Sequence, residues 1–384
     1  MEIISATPGD SNELSRLPLA SLCGQLLVVG YQGARPSPTL LAALEAGECG
    51  GFIVFKRNLT ALEAEGPALV EALAGTLDDL ARRAPAGLPL LLAVDQEGGR
   101  VARLGPPVLE LPPMRALAGV DGDREALARS AGRALGEELQ AIGFTMNFAP
   151  ILDIDSNPAN PIIGDRAFGR QPATAAALAL AFADGLREGG VLACGKHFPG
   201  HGDTLTDSHL ELPIVSRSRA ELEATELVPF RLAARAPRTV PALMTAHVLY
   251  PALDSVPATL SRAVATDLLR GDLGFEGVLV SDDLEMKALH EPVERTAVAA
   301  VRAGCDILLV CSDEGLYSRA KSALIAEAAA DPAFRARCEE AAARGLAMRR
   351  ACPPRVADAA TRTALFERHA ALRDELARRL GSAK

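Results

Sequence analysis

The chain has 384 residues, 49% of them apolar, which is enough for one large domain with a sizeable core. Trp is absent and aromatics make up only 4%, so the core must rest on Ala, Leu and Val; this suits a helix-rich α/β protein better than an aromatic-rich β-sandwich. A formal charge of −9 excludes a binder of nucleic-acid backbone, and no run of eighteen apolar residues is present to span a membrane.

Short apolar runs alternate with longer amphipathic stretches along the chain. The runs are Leu26 to Tyr31, Gly51 to Phe55, Leu90 to Asp95, Phe144 to Pro150, Cys194 to Phe198, Leu243 to Val248, Val278 to Asp282 and Ile307 to Cys311. Each is short, nearly unbroken and rich in Val, Ile, Leu and Phe, the pattern of strands buried on both faces of a parallel sheet. Helical patterns fill the intervals: a short one at Leu40 to Ala46, then Leu62 to Arg82, Arg124 to Ala141, Ala173 to Glu188, Arg219 to Ala234, Ala263 to Leu269 and Val293 to Ala303. Eight strands alternating with helices predict a (β/α)8 TIM-type barrel over residues 1–315. A doubly wound open sheet is the competing fold, but no G-x-G-x-x-G follows the first strand. Beyond it, an Ala/Arg/Glu-rich stretch broken at Asp331-Pro332 and Pro353-Pro354 predicts two or three helices, a C-terminal appendix over 316–384 packing on the barrel.

Barrel enzymes carry their chemistry at the C-terminal ends of the strands. Here those ends are polar: Asp95-Gln96-Glu97-Gly98-Gly99-Arg100 after the third, Asp153 and Asp155 and then Gly164-Asp165-Arg166 after the fourth. Lys196-His197-Phe198-Pro199-Gly200-His201-Gly202-Asp203 follows the fifth, Thr245-Ala246-His247 the sixth and Ser281-Asp282-Asp283 the seventh. Unpaired charge in a barrel mouth is costly, so so many ionisable ends point to a catalytic rim.

Three of the six histidines fall between Lys196 and His209. Asp207 and His209 are two residues apart, so in an extended segment their side chains share a face. A carboxylate bonded to one ring nitrogen fixes the tautomer and raises the imidazole pKa, which makes His209 able to give and retake a proton. Asp282 closes an apolar strand and is expected to project into the mouth, where a carboxylate can attack an anomeric carbon; Asp283 is expected on the opposite side of the strand. A zinc site drawn from His197, His201, Asp203, Asp207 and His209 is the alternative, but the spacing matches no H-E-x-x-H pattern and Pro199 and Gly200 break any helix there. No G-x-S-x-G elbow and no phosphate-binding P-loop occurs.

The segment Lys196 to Thr204 with Asp207-Ser208-His209 resembles the signature loop of bacterial β-N-acetylglucosaminidases of glycoside hydrolase family 3. The resemblance extends to Asp95 through Val101, Phe148-Ala149-Pro150, Gly164-Asp165-Arg166, Met244 through Val248 and Gly274 through Met286, covering roughly residues 20 to 310. It implies a retaining hydrolysis in which Asp282 is the nucleophile and His209, supported by Asp207, the acid/base. It also implies that Asp95 and Arg103 bind the terminal sugar and that Arg166, Lys196 and His197 lie near its 2-acetamido group. The implied substrate is a small carbohydrate, N-acetylglucosamine linked to 1,6-anhydro-N-acetylmuramic acid with or without peptide, cleaved in the cytoplasm with no metal or other cofactor.

Cytoplasmic location agrees with an N-terminus, Met1-Glu2-Ile3-Ile4-Ser5, that lacks the features of a signal peptide, and with seven cysteines lacking C-x-x-C spacing. No membrane or nucleic-acid partner is expected, and the chain should be a monomer or weak dimer. Since a neutral imidazole does not repel an anion, phosphorolysis of a β-N-acetylglucosaminide or β-glucoside on the same site stays open. So do a non-catalytic sugar-binding barrel and a metal-dependent hydrolase.

Overall fold

The computed structural model describes residues 17–382 except Asp207 and His209. The strands are β1 (Leu27–Val29), β2 (Gly51–Val54), β3 (Leu91–Val94), β4 (Met146–Asn147), β5 (Leu192–Phe198), β6 (Ala242–Thr245), β7 (Val278–Asp283) and β8 (Ile307–Val310). Each pairs in parallel with the next and β8 returns to β1, so the sheet closes as an eight-stranded barrel. All eight expected runs hold strands: β1, β2, β3 and β8 stop a residue or two short of the run at one or both ends, β4 and β6 stop three residues early, and β5 and β7 extend beyond the run.

Early helices are α1 (Leu19–Gly24), α2 (Pro38–Glu45), α3 (Lys56–Thr60), α4 (Gly66–Arg83), α5 (Met114–Ala118), α6 (Arg124–Ile142) and α7 (Pro172–Glu188). After them come α8 (Arg219–Ala224), α9 (Leu227–Ala234), α10 (Ala263–Asp272, π-wound), α11 (Val293–Ala303), α12 (Glu314–Ala330), α13 (Pro332–Ala351) and α14 (Ala359–Ser382).

Alternation along each strand divides the apolar side chains. Leu91 and Ala93 point into the barrel with Val28, Ile53, Met146, Cys194, Val280 and Leu309, while Leu92 and Val94 face the helical layer. The interior is therefore filled with side chains, and only its upper end can be open.

Two differences from the sequence expectation have local causes. The single helix expected over 219–234 is two, because Pro229 has no N–H for the carbonyl of Thr225, and the chain turns at Thr225 before restarting. The helix expected from Leu62 begins at Gly66, where Pro67 takes a first-turn position that needs no donor. Of the helices beyond β8, α12 packs on α11 and α1. Helix α13 runs beneath the barrel: Met348 joins the interior cluster, and buried Arg349 donates to the carbonyl of Gly50 at the foot of β2 (2.6 Å). Helix α14 lies along α6, where His369 meets Glu138 (2.9 Å).

Candidate active site

The C-terminal ends of the strands surround a cavity of about 210 Å³. Asp95, Arg103, Arg166, Lys196, His197 and Asp282 all border it. These are six of the eight site residues expected from the sequence; the other two, Asp207 and His209, lie outside the described residues.

Five of the charged groups form one continuous ladder. Arg103 Nη2 donates to Asp95 Oδ2 (3.1 Å), and Asp95 Oδ1 accepts from Lys196 Nζ (2.8 Å). Lys196 Nζ also reaches Glu97 Oε1 (2.7 Å), whose carboxylate takes both Nε and Nη2 of Arg166 in a bidentate pair (2.9 and 2.8 Å). Burial alone would raise Asp95 and Glu97, but Lys196 with Arg103 holds the first, and Arg166 with Lys196 the second, below the ordinary carboxylate range. Lys196 is pushed down by burial, yet Asp95 and Glu97 bring it above its ordinary value, so the ladder stays charged throughout. Three cations against two carboxylates leave one positive charge beside the cavity, and the buried Nε of Arg103 has no protein partner.

A second cluster hangs on Asp153, which is buried on the segment after β4. Its Oδ2 meets Nδ1 of His197 (2.7 Å), and its Oδ1 accepts the backbone N–H of both His197 (3.1 Å) and His201 (2.7 Å). One carboxylate thus orients the His197 ring and fixes the entry to the loop beyond β5. His201 is pushed down to about 4, chiefly by burial and then by His197, so its ring is neutral. The glycines of this loop are dictated by space. A Cβ on Gly202 would lie 1.7 Å from the carbonyl oxygen of Ile154, and Gly200 holds φ at +132°.

Asp282, the penultimate residue of β7, stands at the cavity wall. Its Oδ1 accepts the N–H of Asp283 (2.8 Å), and its own N–H faces Thr245 Oγ1 (3.4 Å). Burial pushes its carboxyl up, but His247, His197, the Asp283 N–H and Lys196 outweigh it and keep it ionised. Behind it, His247 is buried and bridges Thr259 Oγ1 (Nδ1, 2.7 Å) and the carbonyl of Asp283 (Nε2, 2.9 Å), tying β6 to β7.

Asp283, expected on the far side of the strand, also borders the cavity. The pairing of β7 with β8 shifts register between Val280 and Asp283, so strict alternation fails at that end. Burial, then Glu285 and Asp282, raise the Asp283 carboxyl to about 7.

Sequence reasoning noted Glu97 and Asp153 at their strand ends without giving them a place in the site. The available signal is that Asp153 directly follows the apolar Ile151-Leu152 and Glu97 stands two residues beyond Asp95, places after a buried strand where a charge requires a partner. Asp203, considered as a zinc ligand, pairs through both oxygens with Arg217 (2.7 and 3.0 Å). Among the described residues no cluster of three or more His, Cys, Asp or Glu is arranged to hold a metal ion.

The sequence model of the glycosyl hydrolase family 3 N-terminal domain matches residues 19–341. A β-hexosaminidase of Alkalilimnicola ehrlichii is 43% identical over 292 residues, 74% of this chain and 80% of the relative. The family 3 β-N-acetylglucosaminidase of Paenibacillus sp. str. FPU-7 superposes with a TM-score of 0.79 at 38% identity, over 92% of this chain and 68% of that one. NagZ of Neisseria gonorrhoeae, solved with N-trifluoroacetyl-D-glucosamine, gives 0.68 at 33% identity over 84% and 98%. An ionised strand-end aspartate in a sugar-sized cavity, set in a barrel so closely matched, leaves one conclusion: the chain belongs to glycosyl hydrolase family 3, as a glycoside hydrolase of the β-N-acetylhexosaminidase type acting on a small carbohydrate.

Proposed function

We propose that the enzyme removes single terminal β-linked N-acetylglucosamine residues from peptidoglycan fragments, N-acetylglucosamine on 1,6-anhydro-N-acetylmuramic acid with or without peptide, with retention at C1. The observation that carries this reading is the ionised Asp282 on the wall of a cavity of about 210 Å³. That volume lies below the roughly 300 Å³ at which pockets for drug-sized ligands begin, which fits one sugar ring and therefore action from a chain end.

In the first step Asp282 attacks C1 while His209, protonated and steadied by Asp207, gives its proton to the departing glycosidic oxygen. In the second, His209 takes a proton from water, which attacks C1 and frees Asp282. Asp95 and Arg103, both on the cavity wall, would hold hydroxyls of the terminal sugar. Arg166, Lys196 and His197 would face the 2-acetamido group; the ladder through Glu97 and the clamp on Asp153 keep these three from moving. A reducing cytoplasm suits the seven cysteines, all of them free thiols.

The test is to supply purified enzyme with the anhydro-disaccharide and its peptide forms, following the first-formed sugar by proton NMR with and without phosphate. Release of β-N-acetylglucosamine, unaffected by phosphate, is the expected result. Release of the α anomer would overturn the retaining mechanism, a sugar 1-phosphate would make the enzyme a phosphorylase, and cleavage confined to unrelated β-glycosides would remove the proposed substrate.

A further inference from the structure

We infer that Ser208, held between His201 and Ala288, is the positioning residue that sets the acid/base loop over the cavity. The inference rests on the assignment of acid/base chemistry to Asp207 and His209, the residues on either side of Ser208 in the chain.

Apolar packing does not hold this loop. Its large apolar side chains, Leu205 and Leu210, are 69% and 67% exposed, so burial of hydrophobic surface contributes little to its position. Polar contacts remain. Ser208 itself is buried, with Oγ 3.2 Å from Nε2 of His201 and its carbonyl accepting the N–H of Ala288 (3.2 Å). Ala288 follows β7, so this second contact ties the loop to the segment that leaves the nucleophile.

The His201 end is anchored in turn to the barrel. Its N–H is fixed by Asp153, its Nδ1 lies 2.9 Å from Thr204 Oγ1, and its carbonyl accepts from Asn160 Nδ2 (2.8 Å). Asn160 also bonds the carbonyl of Gly202 (3.0 Å) and Thr204 Oγ1 (3.1 Å). Because the imidazole is neutral, either tautomer satisfies both hydroxyl partners without placing a charge in the wall. Ser208 is the chain neighbour of both Asp207 and His209, so a hold on its backbone acts on each of them through a single peptide bond. Ser208 therefore acts through His209, and its hydroxyl is engaged with His201 instead of substrate.

Ser208→Ala removes one of the two holds and leaves the backbone contact. Amide hydrogen exchange of the peptide spanning residues 203–212 should quicken in the variant while the barrel strands keep their protection. The kcat on a β-linked N-acetylglucosamine disaccharide should fall about tenfold, a fraction of what a general acid contributes, with KM little changed. In kcat/KM, which reports the first step alone, a 2,4-dinitrophenyl glycoside, whose leaving group needs no proton, should lose far less.

Unchanged exchange, or an equal loss of kcat/KM on both substrates, would overturn the inference. His209→Ala, assayed in parallel, separates the two levels. If it too slows both substrates alike, the acid/base reading fails and the role of Ser208 fails with it; if it discriminates between them and Ser208→Ala does not, only the positioning role is lost.

Discussion

The two ends of the barrel use the same inventory, buried carboxylates surrounded by cations, to opposite effect. At the lower end Asp306 opens β8 with both oxygens saturated. Oδ1 accepts from Arg337 and Arg344 (2.6 Å each), and Oδ2 from Arg270 (2.7 Å) and the N–H of Leu279 (2.9 Å). Helix α13 covers this end, and the crevice beside Arg344 and Met348 amounts to about 20 Å³. At the upper end the ladder from Arg103 to Arg166 borders a cavity ten times larger, about 210 Å³. Buried charge alone thus does not mark a functional site. Open volume beside the charged groups does, and that is the physical content of the rule that one face of such barrels carries stability and the other chemistry.

If the contrast is right, variants at the two ends must fail in different ways. The largest effect is expected from Asp282→Asn, which removes the proposed attacking oxyanion but keeps shape. Turnover should fall by about 10⁴-fold or more, the scale seen when a nucleophile is deleted, with the melting temperature little changed. Retained activity, or a loss matched by unfolding, would break the contrast at the top. At the bottom, Asp306→Ala strands Arg270, Arg337 and Arg344 without their common acceptor. Breaking a buried ion cluster in this way should cost about 3–5 kcal/mol in urea denaturation, while kcat/KM of the folded fraction at low temperature stays near wild type. A large drop in kcat/KM with intact stability would show that the lower end takes part in the chemistry.

How much of this was legible in the sequence depends on whether the cause is local. The eight strands were, because burial on both faces writes itself as short unbroken runs such as Val278-Leu279-Val280. So was the identity of the rim, since Asp95, Lys196, His197 and Asp282 directly close or end such runs. Partnerships across the barrel were not. Glu97 meets Arg166 69 residues away and Asp153 meets His197 44 residues away, separations at which no periodicity links the two. Helix α13 was legible as a helix, yet its place under the barrel depends on Met348 and Arg349 fitting a space that other elements create. Asp283 was misplaced for a third reason: strand alternation assumes a regular ladder, and the register shift against β8 removes that assumption at the one position where it was applied.

Asp283 also supplies the finest test of the comparison, through pH. Its carboxyl is raised to about 7 from an ordinary 3.8, first by burial and then by the neighbouring Glu285 and Asp282, although Oδ1 accepts the N–H groups of Glu285 (3.1 Å) and Cys311 (3.2 Å). A folded-state value above the unfolded one means that the stability linked to this group is present in full below about 3.8 and is lost as pH rises to about 7. Asp306 has the opposite sign: burial is outweighed by Arg270, Arg337 and Arg344, its carboxyl sits below the ordinary range, and its contribution is constant across neutral pH. Asp283→Asn keeps the acceptor for both N–H groups and deletes the titration. Relative to wild type it should therefore gain on the order of 2 kcal/mol in urea denaturation between pH 5 and pH 8, since wild type pays for ionising beside Asp282 over that interval and the amide does not. An equal stability difference at the two pH values would mean that Asp283 is already ionised at pH 5, and that the upper rim tolerates two adjacent negative charges that its geometry otherwise sets against each other.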